Sequence, residues 1–175
     1  MPAESPRMFP LVLDVTALPI FLIGAVADRA AALRDYGAAN LHVFAADPAP
    51  QEFARLRPRL VFIAGLDPQE AARWRTLAHE VGALVHVQDD LALCDFHLPA
   101  ILRRGRLQVA VSTDGCAPGL ARILRDYLSL KVFGPEWRER VEEVAAARAA
   151  WKKAGQGAEK LRDAITAFIH DRGWF

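Results

Sequence analysis

Asp89 follows the apolar run Leu84-Val85-His86-Val87 by two residues. A carboxylate just past the carboxyl end of a strand stands where open α/β sheets bind ligands, and it is placed to act as a general base. The same spot also suits a carboxylate that caps a turn. Asp90 comes next, and strand alternation would send its side chain the other way. His86, inside the run, reads either as a satisfied core residue or as an imidazole titrating near neutral pH. His97 carries a similar pair of readings, a proton carrier or ligand against a plain loop residue. Gly24 closes the run Pro19-Ile20-Phe21-Leu22-Ile23. A glycine there lets a turn approach a dinucleotide pyrophosphate at a helix start, or it merely ends the strand. The fingerprint Gly-x-Gly-x-x-Gly or Ala is incomplete, because Gly24-Ala25-Val26-Ala27 offers no second glycine before Gly37. Asp47 lies about 20 residues further on, where a carboxylate would meet the ribose. Before Pro48 it also reads as a turn residue. Gly65 ends the third apolar run, where bare backbone can pass close to a cofactor. Cys94, His97 and Cys116 do not have a zinc spacing, so no structural metal is expected.

These residues need a scaffold, and the spacing supplies one. Pro19–Gly24, Asn40–Ala45, Leu60–Gly65 and Leu84–Val87 read as buried strands, and Val26–Tyr36, Glu52–Leu56 and Pro68–Val81 as intervening helices. Strand and helix alternate with short links, which predicts a parallel α/β sheet with right-handed crossovers. Leu107–Ser112 reads as a fifth strand. Leu120–Leu130, Pro135–Lys153 and Ala158–His170 follow as helices. The predicted organisation is a Rossmann-like domain over 8–112 and a helical region over 113–175.

Composition narrows the function. The 175 residues are 53% hydrophobic and 25% charged, enough to bury a core and too apolar for disorder. The net charge of +1 gives no electrostatic footprint for nucleic acid or a membrane surface. Two cysteines are too few for a disulfide framework, and a cytoplasmic protein with reduced thiols is expected. The apolar stretch Leu18–Ala27 is too short to span a bilayer. No basic segment precedes an apolar run, so the start does not read as a signal peptide.

The run from Leu84 to Arg125 contains Val85-His86-Val87-Gln88-Asp89, then Cys94-Asp95-Phe96-His97-Leu98-Pro99-Ala100, then Ser112-Thr113-Asp114-Gly115-Cys116-Ala117-Pro118. In this order the segments resemble the precorrin-2 dehydrogenase/sirohydrochlorin ferrochelatase family, the N-terminal module of siroheme synthase. The opening Met8-Phe9-Pro10-Leu11 is similar to the family's start. The resemblance implies a Rossmann-like domain followed by a helical dimerisation region. It also implies NAD-dependent oxidation of precorrin-2 and insertion of ferrous iron, itself a substrate, into sirohydrochlorin.

It further implies that Asp89 is the catalytic carboxylate, and that Gly24, Ala25, Val26, Asp47 and Gly65 face the cofactor. His86 stands where the family has asparagine. Thr113, more closely than Ser112, matches a serine that can carry phosphate in the family, and these two residues with Gly115 form a loop facing substrate. An acidic tetrapyrrole suits arginine forks, and Arg103, Arg104, Arg106, Arg122 and Arg125 cluster in the matching region. Of these, Arg104 and Arg122 are the candidate substrate-binding residues. A homodimer is expected, burying Val132, Phe133, Trp137, Val141, Trp151 and Phe168. Two other readings stay open: a relative that handles tetrapyrrole or metal without NAD, and a non-catalytic dimeric carrier.

Overall fold

The computed structural model describes residues 8–45 and 48–174. The chain divides into two compact units, the first ending at Leu98 and the second starting at Pro99.

The first unit is built on four parallel strands, β1 (Ile20–Gly24), β2 (Leu41–Phe44), β3 (Leu60–Ala64) and β4 (Leu84–Val87), in the order β2-β1-β3-β4. Three helices link them: α1 (Ala27–Asp35), α2 (Pro50–Leu56) and α3 (Pro68–Glu80). The central strands are apolar at successive positions because both faces are covered. On one face Phe21, Ile23, Val61, Ile63, Val85 and Val87 meet Phe53 of α2 and Trp74 of α3. Phe53 stacks on Trp74 at 5.8 Å and takes Phe21 edge-on at 4.9 Å. On the other face Ile20, Leu22, Leu60 and Phe62 meet Val26, Ala30 and Leu33, with Leu18 and Phe96 at the margin. Helix α3 starts where Pro68 presets the first turn and the Asp67 carboxylate accepts from the amides of Gln69 (2.9 Å) and Glu70 (3.0 Å).

The second unit opens with an antiparallel hairpin, β5 (Ala100–Arg104) and β6 (Leu107–Val111), followed by α4 (Pro118–Lys131), α5 (Trp137–Lys153) and α6 (Ala158–Asp171). The expected fifth strand is therefore present, but it pairs with β5 and lies outside the parallel sheet. The division after Leu98 also falls earlier than the expected boundary at 112, because the hairpin packs with α4 rather than extending β4. Gly105 is the first central residue of the two-residue turn and has φ of 58°, as the reversed turn demands.

The aromatic residues expected at a dimer interface pack within this unit. Trp137 is buried and its indole N–H donates to the Val132 carbonyl at 2.9 Å. Phe133 meets Trp137 at 5.2 Å, and Trp151 meets Phe168 at 5.7 Å. The apolar side chains left exposed are instead on α4: Leu120, Ile123, Leu124, Tyr127 and Leu130. Among the described residues, no helix is long and apolar enough to cross a membrane.

Candidate functional site

The carboxyl end of β4 is held by a loop that folds back on it. The Asp95 amide donates to the Val85 carbonyl at 2.8 Å, and the Asp95 carboxylate accepts from the Val85 amide at 2.8 Å. The same carboxylate meets His79 Nε2 at 2.7 Å and Arg75 Nη2 at 3.3 Å, while Arg75 Nε donates to the Leu93 carbonyl at 3.0 Å. Asp95 thus ties α3, β4 and the loop together. Replacing it by alanine leaves the strand amide of Val85 without its partner and takes the carboxylate from Arg75 and His79, so Asp95→Ala is expected to lower unfolding stability by about 2–4 kcal/mol. Denaturant titration measures this. An unchanged midpoint would remove the anchoring role.

Cys94 ties the same turn more locally. Its thiol points at the carbonyls of Val87 (3.1 Å) and Asp90 (3.2 Å) and accepts from the Val87 amide (3.2 Å). Burial pushes the Cys94 thiol above its ordinary value, which keeps it protonated and a poor nucleophile.

Asp89 sits in the turn that these contacts shape, with φ of 63° and an exposed side chain. Among the described residues its only hydrogen-bond partner is Gln88 Nε2 at 3.4 Å, so the carboxylate is open to a ligand. Asp90 differs: its carboxylate accepts from the Ala92 amide at 3.1 Å and closes the following single 3-10 turn. The two aspartates are therefore separated by turn chemistry. Strand alternation, the expected cause, does not apply, because the strand ends at Val87.

His86 is half-buried on the face of the sheet that carries Phe62. Its Nδ1 faces the Phe96 carbonyl at 3.2 Å, and the ring lies 6.0 Å from Phe62 and 5.6 Å from Phe96. Burial, chiefly, holds its pKa below the ordinary value, helped by Arg29 and His97, with Asp89 opposing. The imidazole is thus neutral at neutral pH, with the proton on Nδ1 toward the carbonyl. His97 Nδ1 is buried without a partner among the described residues.

The β1–α1 turn bears on a dinucleotide. Gly24 has φ of 87°, and a Cβ there would collide with the Ala64 carbonyl, so only glycine fits. A Cβ at Gly65 would stand 2.9 Å from Ala25 Cβ, so the turn and the end of β3 touch. The Ala25 amide donates to the Ala64 carbonyl (2.8 Å) and the Val26 amide to the Gly24 carbonyl (2.9 Å). Neither turn amide is free for a pyrophosphate. The amides of Ala27, Asp28 and Arg29, which open α1, have no acceptor among the described residues and are the donors a helix start offers an anion. The residues fit a dinucleotide through the helix start and not through the turn. Asp47 lies outside the described residues.

The remaining candidates are in the second unit. Ser112 Oγ accepts from the Asp114 amide at 3.2 Å, and Thr113 Oγ1 accepts from the Ala117 amide at 3.2 Å. With Gly115 at φ of 80° they form a tight loop before α4. Arg122 is exposed on α4. Arg104 is engaged inside its own unit, donating to Ser129 Oγ (2.7 Å) and to the carbonyls of Phe133 (3.1 Å) and Arg103 (3.1 Å). Its fork secures the hairpin to the end of α4.

Arg29 was not apparent as a candidate from the sequence. The signal was available: it lies three residues after Val26 and one before Ala30, on the stripe that α1 buries.

The family described as "Sirohaem biosynthesis protein central" matches residues 104–128. The siroheme synthase of Neisseria meningitidis serogroup C is 29% identical over 85% of this chain and 38% of its own length. That of Sodalis glossinidius is 39% identical over 56% of this chain and 24% of its own length. The chain thus spans well under half of the curated relatives it matches. Among solved structures, a chain described as SirC, precorrin-2 dehydrogenase, superposes with a TM-score of 0.68 at 18% identity, covering 93% of this chain and 89% of that one.

Proposed function

We propose that this chain, which belongs to the siroheme synthase family, oxidises precorrin-2 to sirohydrochlorin, with insertion of ferrous iron into the product as a second activity. The observation that carries the proposal is the placement of Asp89, exposed and nearly unpartnered at the carboxyl end of β4 in a chain related to siroheme synthases. Oxidation removes a hydride and a proton from the macrocycle. NAD, when bound, accepts the hydride, and the α1 amides of Ala27, Asp28 and Arg29 are the groups that would hold its pyrophosphate. The proton falls to Asp89 acting as general base. In iron insertion two pyrrole N–H protons must leave, and the same carboxylate can receive them in turn. Asp90 spends one carboxylate oxygen on the Ala92 amide and is the less exposed of the two, which favours Asp89 for both steps.

The closed turn favours weak NAD binding. Two turn amides spent internally withhold contacts worth about 1 kcal/mol each, which is roughly a 10- to 30-fold loss in affinity. Calorimetric titration with NAD is expected to give an affinity weaker by that factor than in dinucleotide proteins with the full glycine turn. Tight binding would mean that other residues make up for the turn. Complete absence of binding would favour the second reading, in which the chain handles tetrapyrrole and iron without NAD.

The partner supported is a second copy of the chain. The exposed apolar residues of α4 recur at spacings of three and four, and Ile123 is 67% and Leu130 80% exposed. A self-complementary face of this kind is what a two-fold dimer buries.

A further inference from the structure

A cationic group sits half-buried in the first unit without an ion-pair partner among the described residues. Arg29 projects from the first turn of α1, and its Cζ lies 5.7 Å above the Phe62 ring. No ion pair or hydrogen bond of its guanidinium occurs among the described residues, and desolvation alone lowers its pKa. Half-burying an unpaired guanidinium costs free energy that an incoming anion would recover.

The surroundings state the kind of anion. Phe62 meets Phe96 edge-on at 5.5 Å, and His86 packs beside both at 6.0 and 5.6 Å. Arg29 and His97 are each close enough to His86 to act electrostatically on its ring. The corner is thus an apolar aromatic floor with an arginine fork and two imidazoles at its rim. His86 is on β4, two strands from the Gly24 turn on β1, a separation of about 10 Å across a sheet. The corner therefore runs from the start of α1 to the strand that leads into Asp89.

We propose that Arg29 binds a carboxylate side chain of the tetrapyrrole, its guanidinium held in place by Phe62 and flanked by His86 and His97. This rests on the reading of the chain as a tetrapyrrole enzyme. A flat macrocycle with acid side chains matches an apolar floor with cations at its edge, and the arginine fork can take both oxygens of one carboxylate. The corner would orient the ring while Asp89 reaches its reacting edge.

The test uses sirohydrochlorin and its methyl ester, titrated into the purified full chain and followed by the absorbance of the macrocycle. Arg29→Met keeps the stem over Phe62 and removes the charge. It is expected to weaken the free acid about 10- to 100-fold and to leave the ester unchanged, since a charge-assisted bond is lost only for the acid. Arg29→Lys, which keeps the charge without the fork, should fall between. Equal losses for acid and ester would assign Arg29 to packing and overturn the proposal, as would an unchanged affinity for the acid. Loss of NAD binding with unchanged tetrapyrrole binding would assign the anion to phosphate and overturn it too. If Arg29→Met fails to fold, wild-type affinity in Arg29→Lys overturns it, and a several-fold loss supports it. A wild-type chain that binds no tetrapyrrole removes the parent reading, an outcome distinct from all of these.

Discussion

Asp89→Ala is expected to reduce precorrin-2 oxidation about 100- to 10,000-fold, the range that a positioned acid–base group contributes. Folding should be nearly unaffected, because the side chain is exposed and its sole hydrogen-bond partner among the described residues is Gln88 at 3.4 Å. The positive φ of 63° at this position belongs to the turn, and asparagine tolerates that conformation better than alanine does. Asp89→Asn is therefore the cleaner variant: it keeps the turn and removes the base. Tetrapyrrole affinity should hold in both variants while turnover falls. Asp90→Ala should behave in the opposite way, with the 3-10 turn at Leu91–Leu93 loosened and the chemistry largely kept. Full turnover in Asp89→Asn would remove the carboxylate from the mechanism. Matching losses in the Asp89 and Asp90 variants would point to a damaged turn.

The double variant Ile123→Glu with Leu130→Glu is expected to weaken self-association at least about 100-fold, since it places two charges in a desolvated apolar contact. Both residues are exposed on α4, so the isolated fold has no reason to suffer. Sedimentation velocity should show a dimer for the wild-type chain at micromolar concentration and a monomer for the variant. A wild-type monomer at that concentration would discard the dimer. The same substitutions at Trp151 or Phe168 would make a poor test, because those rings pack on each other.

The parallel sheet was legible because each of its strands is a short apolar run with a glycine or turn at its end, and each helix a periodic stripe between such runs. The position of Asp89, exposed in the turn beyond β4, was legible for the same reason, as the first carboxylate past a strand. The hairpin was not. Ala100-Ile101-Leu102-Arg103-Arg104 looks like a solvated basic segment, and only tertiary contacts reveal that the Arg104 fork is consumed by Ser129 and Phe133. Short-range sequence carries no trace of a partner 25 residues away. The helical tail misled in the reverse sense. Its aromatic residues have the spacing of an exposed stripe, yet Trp137 is covered by its neighbours. The dimer face proposed is on α4, where leucines and isoleucine look ordinary in sequence.

Asp95 shows a further limit. Its place between Cys94 and Phe96 marks it as part of a recognisable segment, but its work is to bind Arg75, His79 and the Val85 amide at once. Three partners drawn from one helix and one strand can be seen only when the fold is in hand. The Gly24 turn was legible as incomplete. What the structure adds is the physical consequence, that the Ala25 amide is consumed by the Ala64 carbonyl.

The most direct test of the central claim is a single assay. The purified chain is mixed with precorrin-2 and millimolar NAD under anaerobic conditions, and the macrocycle spectrum and NADH absorbance are followed together. Catalytic conversion to sirohydrochlorin is expected, with one NADH formed per macrocycle oxidised, and loss of both signals in Asp89→Asn. Bound precorrin-2 that is never oxidised, with no NADH released at saturating NAD, would contradict it.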